Sequence, residues 1–332
     1  MRRRRMKFND GGFYHAIVKI VEGEFKLIEK EAEIFLIIMR LVEKFSGVMV
    51  VDYVIMQNHV HLILFATGRC TASEEVLLKR YSVLYDKKET EKLRSRWENL
   101  RLAGKLEQLE AEMQQLRNRM DDISAFMKTL MQRVSQSYNS RHNRIGPLWA
   151  GRFKSLLVEP NILAILAAYL ALNPARVDKK YHDPKDYPYC GYAAALGGDP
   201  EARRGLIQLY AAAGNGEWMS WRKTARLHRM IIYGRGGKYG RHPPVYSKEE
   251  VEKVLAEGGQ LTLFDLLRCK VRYFTYGVAI GSEIFVQTQV RSHPDCFSPY
   301  RKALAKKFRC YEGNDLYAAN DFRKVAIIPM LS

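Results

Sequence analysis

No run of apolar residues in this chain is long enough to span a bilayer. The basic start, Arg2 to Arg5, is followed by polar residues and not by the apolar core of a secretory signal. Cysteine is scarce: Cys70, Cys190, Cys269, Cys296 and Cys310 are odd in number, scattered, and form no C-x-x-C pair. That argues against a disulfide framework or a zinc ribbon and suits free thiols in a reducing cytoplasm. No proline precedes Pro147, and Gly104 is the only glycine between Gly68 and Gly146, so long helices are expected there. Acidic residues are missing altogether between Glu217 and Glu249.

What the chain does have is positive charge. Its 332 residues, enough for one large domain or two ordinary ones, carry a formal net charge of +18 with a pI near 9.6. Such an excess points to a polyanionic partner, because Lys and Arg gain affinity by displacing phosphate counterions. Nucleic acid fits better than a membrane surface, since no strongly basic amphipathic helix stands beside aromatic anchors.

Along the chain, "FYHAIVKI" (13–20) reads as a strand and "KEAEIFLIIMRLVEKF" (30–45) as a helix ended by Ser46-Gly47. Strands at 48–56 and 59–66 follow, joined by Gln57-Asn58 as a short hairpin connection. This β-α-β-β order predicts an α+β fold, an antiparallel sheet with a helix on one face. Residues 73–122 read as a helical insertion packed on itself, since their apolar positions hold no clean heptad. A helix over 123–142 comes next, and residues 146–160 open as a turn and close as a strand. The last helix of this half covers 161–176, with Asn161 as N-cap and Pro174 as its end. Composition loosens after 183–198, which predicts a first domain at 1–195 and a mostly helical basic region at 199–332. That region concentrates Arg222, Lys223, Arg226, Arg229, Arg235, Lys238, Arg241 and Lys248 and is expected to be an accessory DNA-binding part.

Three groups of residues could carry chemistry. In "YVIMQNHVHLIL" (53–64), His59 and His61 share one strand face with Val60 on the other, so both imidazoles could grip one metal ion. The plainer alternative is a pair of partly exposed sheet histidines. Tyr169 and Asn173, four apart, share one helical face, with a tyrosine ring simply buried in the core as the alternative. Trp149, Arg152, Phe153 and Lys154 combine stacking surfaces with cations, as a single-strand or hairpin binder needs, and Arg141, His142 and Arg144 extend the same patch. A strand edge with solvated charge is the competing account. Arg2 to Arg5 read as a disordered basic arm.

Together, "QNHVHLIL", "GPLWAGRFKSLLVE", "AAYLALNPARV" and "DPKDYPYCGY" resemble the transposases of the IS200/IS605 type, and among them the REP-associated tyrosine transposases. The resemblance covers about residues 13 to 195, with the blocks in the same order, although Gln57 stands where the family often has proline or serine. It implies a ferredoxin-like sheet with helices, the core of an HUH nuclease. It makes His59 and His61 metal ligands, Tyr169 the nucleophile, and Asn173 a residue completing the metal site. The implied activity is cleavage and rejoining of single-stranded DNA beside a hairpin, in the cytoplasm at the nucleoid, by a monomer or a homodimer.

The chemistry suits the residue types. A phenol, with a pKa of about 10, is a poor nucleophile unless the phosphate it attacks is activated. Two imidazoles plus an amide leave open positions that suit Mg²⁺ or Mn²⁺, with Zn²⁺ the alternative ion. Transesterification needs no nucleotide cofactor. Two rival readings stand beside it: a hairpin-binding module whose catalytic site has decayed, and a zinc hydrolase, which needs a third strong ligand. Because both histidines and Tyr169 precede residue 198, the part before it is expected to hold the whole catalytic site.

Overall fold

The computed structural model describes residues 5–176, 181, 183–214, 216–233, 274–275, 277–296, 305–307 and 316–319. Its centre is a seven-stranded sheet in the order β2-β3-β1-β4-β5-β7-β6. The strands are β1 (Gly12–Lys19), β2 (Met49–Met56), β3 (His59–Ala66), β4 (Lys154–Val158), β5 (Ala279–Gly281), β6 (Ala305–Lys307) and β7 (Tyr317–Ala319). β2, β3, β1 and β4 are antiparallel throughout. β5 then joins β4 in parallel, and β7 and β6 continue antiparallel.

Helix α1 (Glu29–Ser46) returns from β1 to β2 across one face of the sheet. Ala32, Phe35, Met39 and Val42 recur at helical spacing and are buried there. Gly47 stops the helix at a φ of 75°, and its N–H donates to the Glu43 carbonyl. A side chain at Gly47 would also strike Arg80 and Asp121, so both the backbone and the packing demand glycine. The same sheet face carries α5 (Ile123–Arg141), and Val60, Leu62 and Leu64 of β3 point into this layer.

The opposite face is covered by α6 (Leu163–Leu172), whose sequence "LAILAAYLAL" is apolar on all sides. Such a helix is stable only when surrounded, and α8 (Pro200–Ala213) and α9 (Trp221–Tyr233) pack against it. Each large aliphatic side chain buried here contributes roughly 1.5–3 kcal/mol. The expected cap at Asn161 is not formed. Pro160–Ile162 is a separate 3-10 turn, and Ile162 precedes the α-helix without a side-chain cap. A second 3-10 turn at Pro174–Arg176 follows α6, so one continuous helix over 161–176 is corrected to a short α-helix between two tight turns.

The segment 73–122 is helical and self-packed: α2 (Glu74–Leu84), α3 (Lys87–Leu102) and α4 (Leu106–Arg117) enclose Trp97, Leu77, Leu109, Met113 and Leu116. Phe45 at the end of α1 joins the same cluster. After α6 the chain runs through α7 (Gly191–Leu196) into α8. Beyond α9 it returns to the sheet as β5, α10 (Glu283–Ser292) and β6–β7. The sequence reading of 199–332 missed these three strands, each only three residues long and too short to show alternation. Arg235, Lys238, Arg241, Lys248, Cys269, Cys310 and Arg2 to Arg4 lie outside the described residues.

Candidate active site

β3 sets the site. Its alternation sends Val60, Leu62 and Leu64 toward α1 and α5 and leaves His59, His61 and Ile63 on the α6 face. The hairpin tip before His59 is held by two backbone bonds, from Ile20 N–H to the Asn58 carbonyl at 2.9 Å and from Leu27 N–H to the Gln57 carbonyl at 2.9 Å. His59 is half-buried beside the tip, and His61 is 2% exposed. The two rings stand edge to face with centroids 5.0 Å apart.

α6 delivers Tyr169 to the same place. Its ring is buried and meets His61 edge-on with centroids 6.0 Å apart. Asn173, one turn on and still in helical geometry, is also buried, and its amide nitrogen has no hydrogen-bond partner among the described residues. The unpaired group is the NH₂ donor, so a cation would have to be met by the side-chain oxygen instead. Two other tyrosines of this half of the chain, Tyr138 and Tyr187, are engaged elsewhere. Tyr138 lies in the layer on the other side of the sheet. The Tyr187 hydroxyl donates to the Ile55 carbonyl at 2.5 Å, and burial raises its pKa above the ordinary tyrosine value.

Two residues that the sequence reading missed join this cluster. His15 on β1 is a diagonal cross-strand neighbour of His61, because its direct partner is Ile63. His15 Nε2 lies 2.9 Å from His61 Nδ1 and His15 Nδ1 lies 2.8 Å from the Phe274 carbonyl oxygen. Burial pushes the His15 pKa down to about 4, with the Phe274 carbonyl opposing that shift. Phe274 also lays its ring against Tyr169, centroids 4.8 Å apart. A lone histidine in the apolar strand "FYHAIVKI" was the only signal for His15, and nothing in the sequence pointed to Phe274.

Among the described residues no three His, Cys, Asp or Glu side chains cluster as metal ligands. His15 is a third histidine, but its two ring nitrogens face His61 and Phe274. The donors on offer are the imidazoles of His59 and His61 and the side-chain oxygen of Asn173. This mixed nitrogen and oxygen set is the kind that suits a divalent cation.

The basic and aromatic residues sort differently. Trp149 is buried, its indole N–H donating to the Met131 carbonyl at 2.8 Å. Phe153 is buried under the Arg5 guanidinium, 3.5 Å from the ring centroid. Neither ring is presented at the surface for a base, so both are core residues and not stacking platforms. Arg5 also donates to Ser124 Oγ and the Phe153 carbonyl, so the end of the basic arm is ordered onto the fold. Arg141 is ion-paired with the buried Glu31 carboxylate, and His142 Nε2 lies 2.9 Å from its other oxygen. Arg144 donates to the carbonyls of Gly146 and Pro147 and staples that turn. Arg152 and Lys154 are exposed. On α9, Thr224, His228 and Ile232 form a fully buried stripe, while Arg222, Arg226 and Arg229 line the exposed side.

No protein-family model matches the chain, and no curated protein matches it. Among solved structures, the chain is similar to a REP-associated tyrosine transposase bound to a REP hairpin. The two share 11% identity over 60% of this chain and 87% of that one, with a TM-score of 0.36. So distant a likeness decides nothing about the chemistry, which rests on the residues above. No helix among the described residues is long and apolar enough to cross a membrane.

Proposed function

We propose that this protein cleaves and rejoins single-stranded DNA beside a hairpin, as a tyrosine transposase of the IS200/IS605 type, REP-associated branch. One observation carries the reading: His59 and His61 from β3 and Tyr169 from α6, far apart in sequence, meet on one face of the sheet with rings in contact. The four sequence blocks that resemble the family support it. So does the antiparallel β2-β3-β1-β4 order with a helix returning from β1 to β2, as a ferredoxin-like core requires. The positive charge suits a nucleic-acid substrate.

His59 and His61 would hold the cation, Mg²⁺ or Mn²⁺, with the Asn173 side-chain oxygen completing the protein's share. When bound, the ion polarises the scissile phosphate and offsets the charge that develops on it. The Tyr169 oxygen attacks phosphorus. An O–P bond to the tyrosine forms, the bond to the 3′ oxygen breaks, the phenol gives up its proton, and the departing oxygen takes one up as a 3′-OH. The 5′-phosphotyrosine keeps the energy of the broken ester, so attack by the same or another 3′-OH reverses the step without a nucleotide cofactor. The ring contacts of Tyr169 with His61 and Phe274 hold the phenol in place for this attack.

The test is a covalent adduct. Incubating the protein with a single-stranded hairpin oligonucleotide and Mn²⁺ should give a DNA–protein species that survives denaturation, and mass spectrometry should map it to Tyr169. Tyr169→Phe should fold and bind but form none. An adduct on another tyrosine would overturn the assignment. Hairpin binding without any adduct from the unmodified protein would favour a decayed, binding-only module.

A further inference from the structure

His61 Nδ1 and His15 Nε2 are 2.9 Å apart, a hydrogen bond whose direction the ring nitrogens alone leave open. The Phe274 carbonyl fixes it. A carbonyl oxygen can only accept, so the 2.8 Å contact requires the His15 proton to sit on Nδ1. His15 is 1% exposed, and burial disfavours a charged imidazole, so it carries that single proton and its Nε2 is an acceptor. The bond to His61 must then run from His61 Nδ1–H to His15 Nε2. In the neutral ring the lone pair of His61 therefore sits on Nε2. The two rings are nearly parallel, centroids 5.0 Å apart and planes 20° from parallel, and meet edge to edge as this hydrogen bond requires.

We propose that His15 is a positioning residue that locks His61 as its Nδ1–H tautomer and so presents the Nε2 lone pair to the catalytic face. The purpose of that lone pair, metal binding, rests on the function proposed above; the lock itself does not. The neighbouring His59 is arranged in parallel, its Nδ1 lying 2.6 Å from the Asn58 side-chain oxygen. Both histidines of the H-x-H pair therefore have Nδ1 engaged from behind, the arrangement that orients metal-binding imidazoles and raises their basicity. The chain of bonds begins at Phe274, which makes the region beyond residue 199 part of the catalytic pocket.

Two measurements on the full-length protein test this. Two-bond ¹H–¹⁵N correlation spectra of histidine-labelled, metal-free protein report the tautomer of each ring. The expected result is Nδ1–H for His61, lost in His15→Leu. Mn²⁺ binding without DNA, followed by electron paramagnetic resonance, should weaken about 10–100-fold in His15→Leu. It should recover to within severalfold in His15→Gln, whose amide can accept from His61 while donating to Phe274. An Nε2–H tautomer for His61 in the unmodified protein would overturn the proposal whatever His15→Leu does to folding. An unchanged His61 tautomer in a folded His15→Leu would also overturn it. Failure of the function reading looks different: an Nδ1–H His61 in a protein that forms no DNA adduct sinks the transposase and leaves the lock standing.

Discussion

Replacing Asp52 with asparagine should stabilise this protein, by an amount that grows with pH. Asp52 sits where the β2–β3 register slips between Val50 and Asp52, and only 2% of it is exposed. One carboxylate oxygen accepts from Tyr53 N–H at 2.9 Å; the other, Oδ2, has no partner among the described residues. Burial raises the carboxyl from 3.8 to about 8, more than the Tyr53 N–H and the charge of Arg40 can offset. A carboxyl whose folded pKa lies above its unfolded value stabilises fully below the unfolded pKa and loses that contribution as pH rises toward the folded one. At pH 7 the loss is about 4 kcal/mol, from three pH units above 3.8 at 1.36 kcal/mol each. Asparagine keeps the acceptor for Tyr53 and fills the same space beside Gly191, where even an added Cβ would lie 2.1 Å from Asp52 Oδ1. It leaves an unpaired NH₂ where the protonated acid has an unpaired O–H, so the two differ mainly in the proton that Asp52 must take up. His15 and His228 act oppositely. Burial lowers them to about 4 and about 3, so their contribution is complete above about pH 6.5 and fades as pH falls. Urea unfolding should therefore show a wild-type stability maximum between about pH 6 and 7. Asp52→Asn should match it near pH 4, exceed it by several kcal/mol at pH 8, and abolish the alkaline decline alone. Equal urea midpoints at pH 8 would refute the reasoning, as would an Asp52→Asn protein weaker than wild type there.

His59→Ala or His61→Ala should abolish adduct formation while hairpin affinity stays within severalfold, because the charge of the surface remains; full cleavage by either variant in Mn²⁺ buffer would contradict the metal role. Cutting the chain after residue 198, which the sequence alone suggested would spare catalysis, should now cost most of it. The cut strips α8 and α9 from α6 and removes the Phe274 carbonyl from His15, so a soluble 1–198 fragment with full adduct yield would show this account wrong. Changing Arg222, Arg226 and Arg229 together to glutamine leaves the buried stripe of α9 intact. If these side chains meet phosphates, the slope of log affinity against log salt should fall by roughly 0.7–0.9 for each phosphate no longer neutralised. Identical salt slopes would make the exposed face of α9 a solvated surface only.

The β-α-β-β half and the H-x-H pair were legible because their signals are local. Strand alternation puts His59 and His61 on one face whatever the rest of the chain does, and i, i+4 spacing does the same for Tyr169 and Asn173. Trp149 and Phe153 misled for the opposite reason. An aromatic ring beside cations reads the same whether it faces a base or the core, and only the tertiary fold, which places the Met131 carbonyl against Trp149 and Arg5 over Phe153, decides between them. Arg141 likewise reads as a phosphate contact until Glu31, 110 residues earlier, is brought to it.

The part of the site that stayed hidden is the part that spans the longest sequence separations. His15 is 46 residues from His61 and 259 from Phe274, and no local pattern links the three. Their meeting follows from the sheet. Once β1 lies between β3 and β4, position 15 falls diagonal to position 61. β5 pairs in parallel with β4, and Ser282 just beyond it donates from both its backbone and its hydroxyl to the Glu159 carboxylate, tying the returning chain to the end of β4. The segment before β5 is thereby brought over the α6 face, where Phe274 reaches both His15 and Tyr169. An insertion or truncation that disturbed only β5 would leave His59, His61 and Tyr169 untouched in sequence, yet it would release the acceptor that sets the first proton in the chain. The two histidines of β3 are written locally; the hydrogen bonds that reach His61 through His15 start from Phe274, near the far end of the chain.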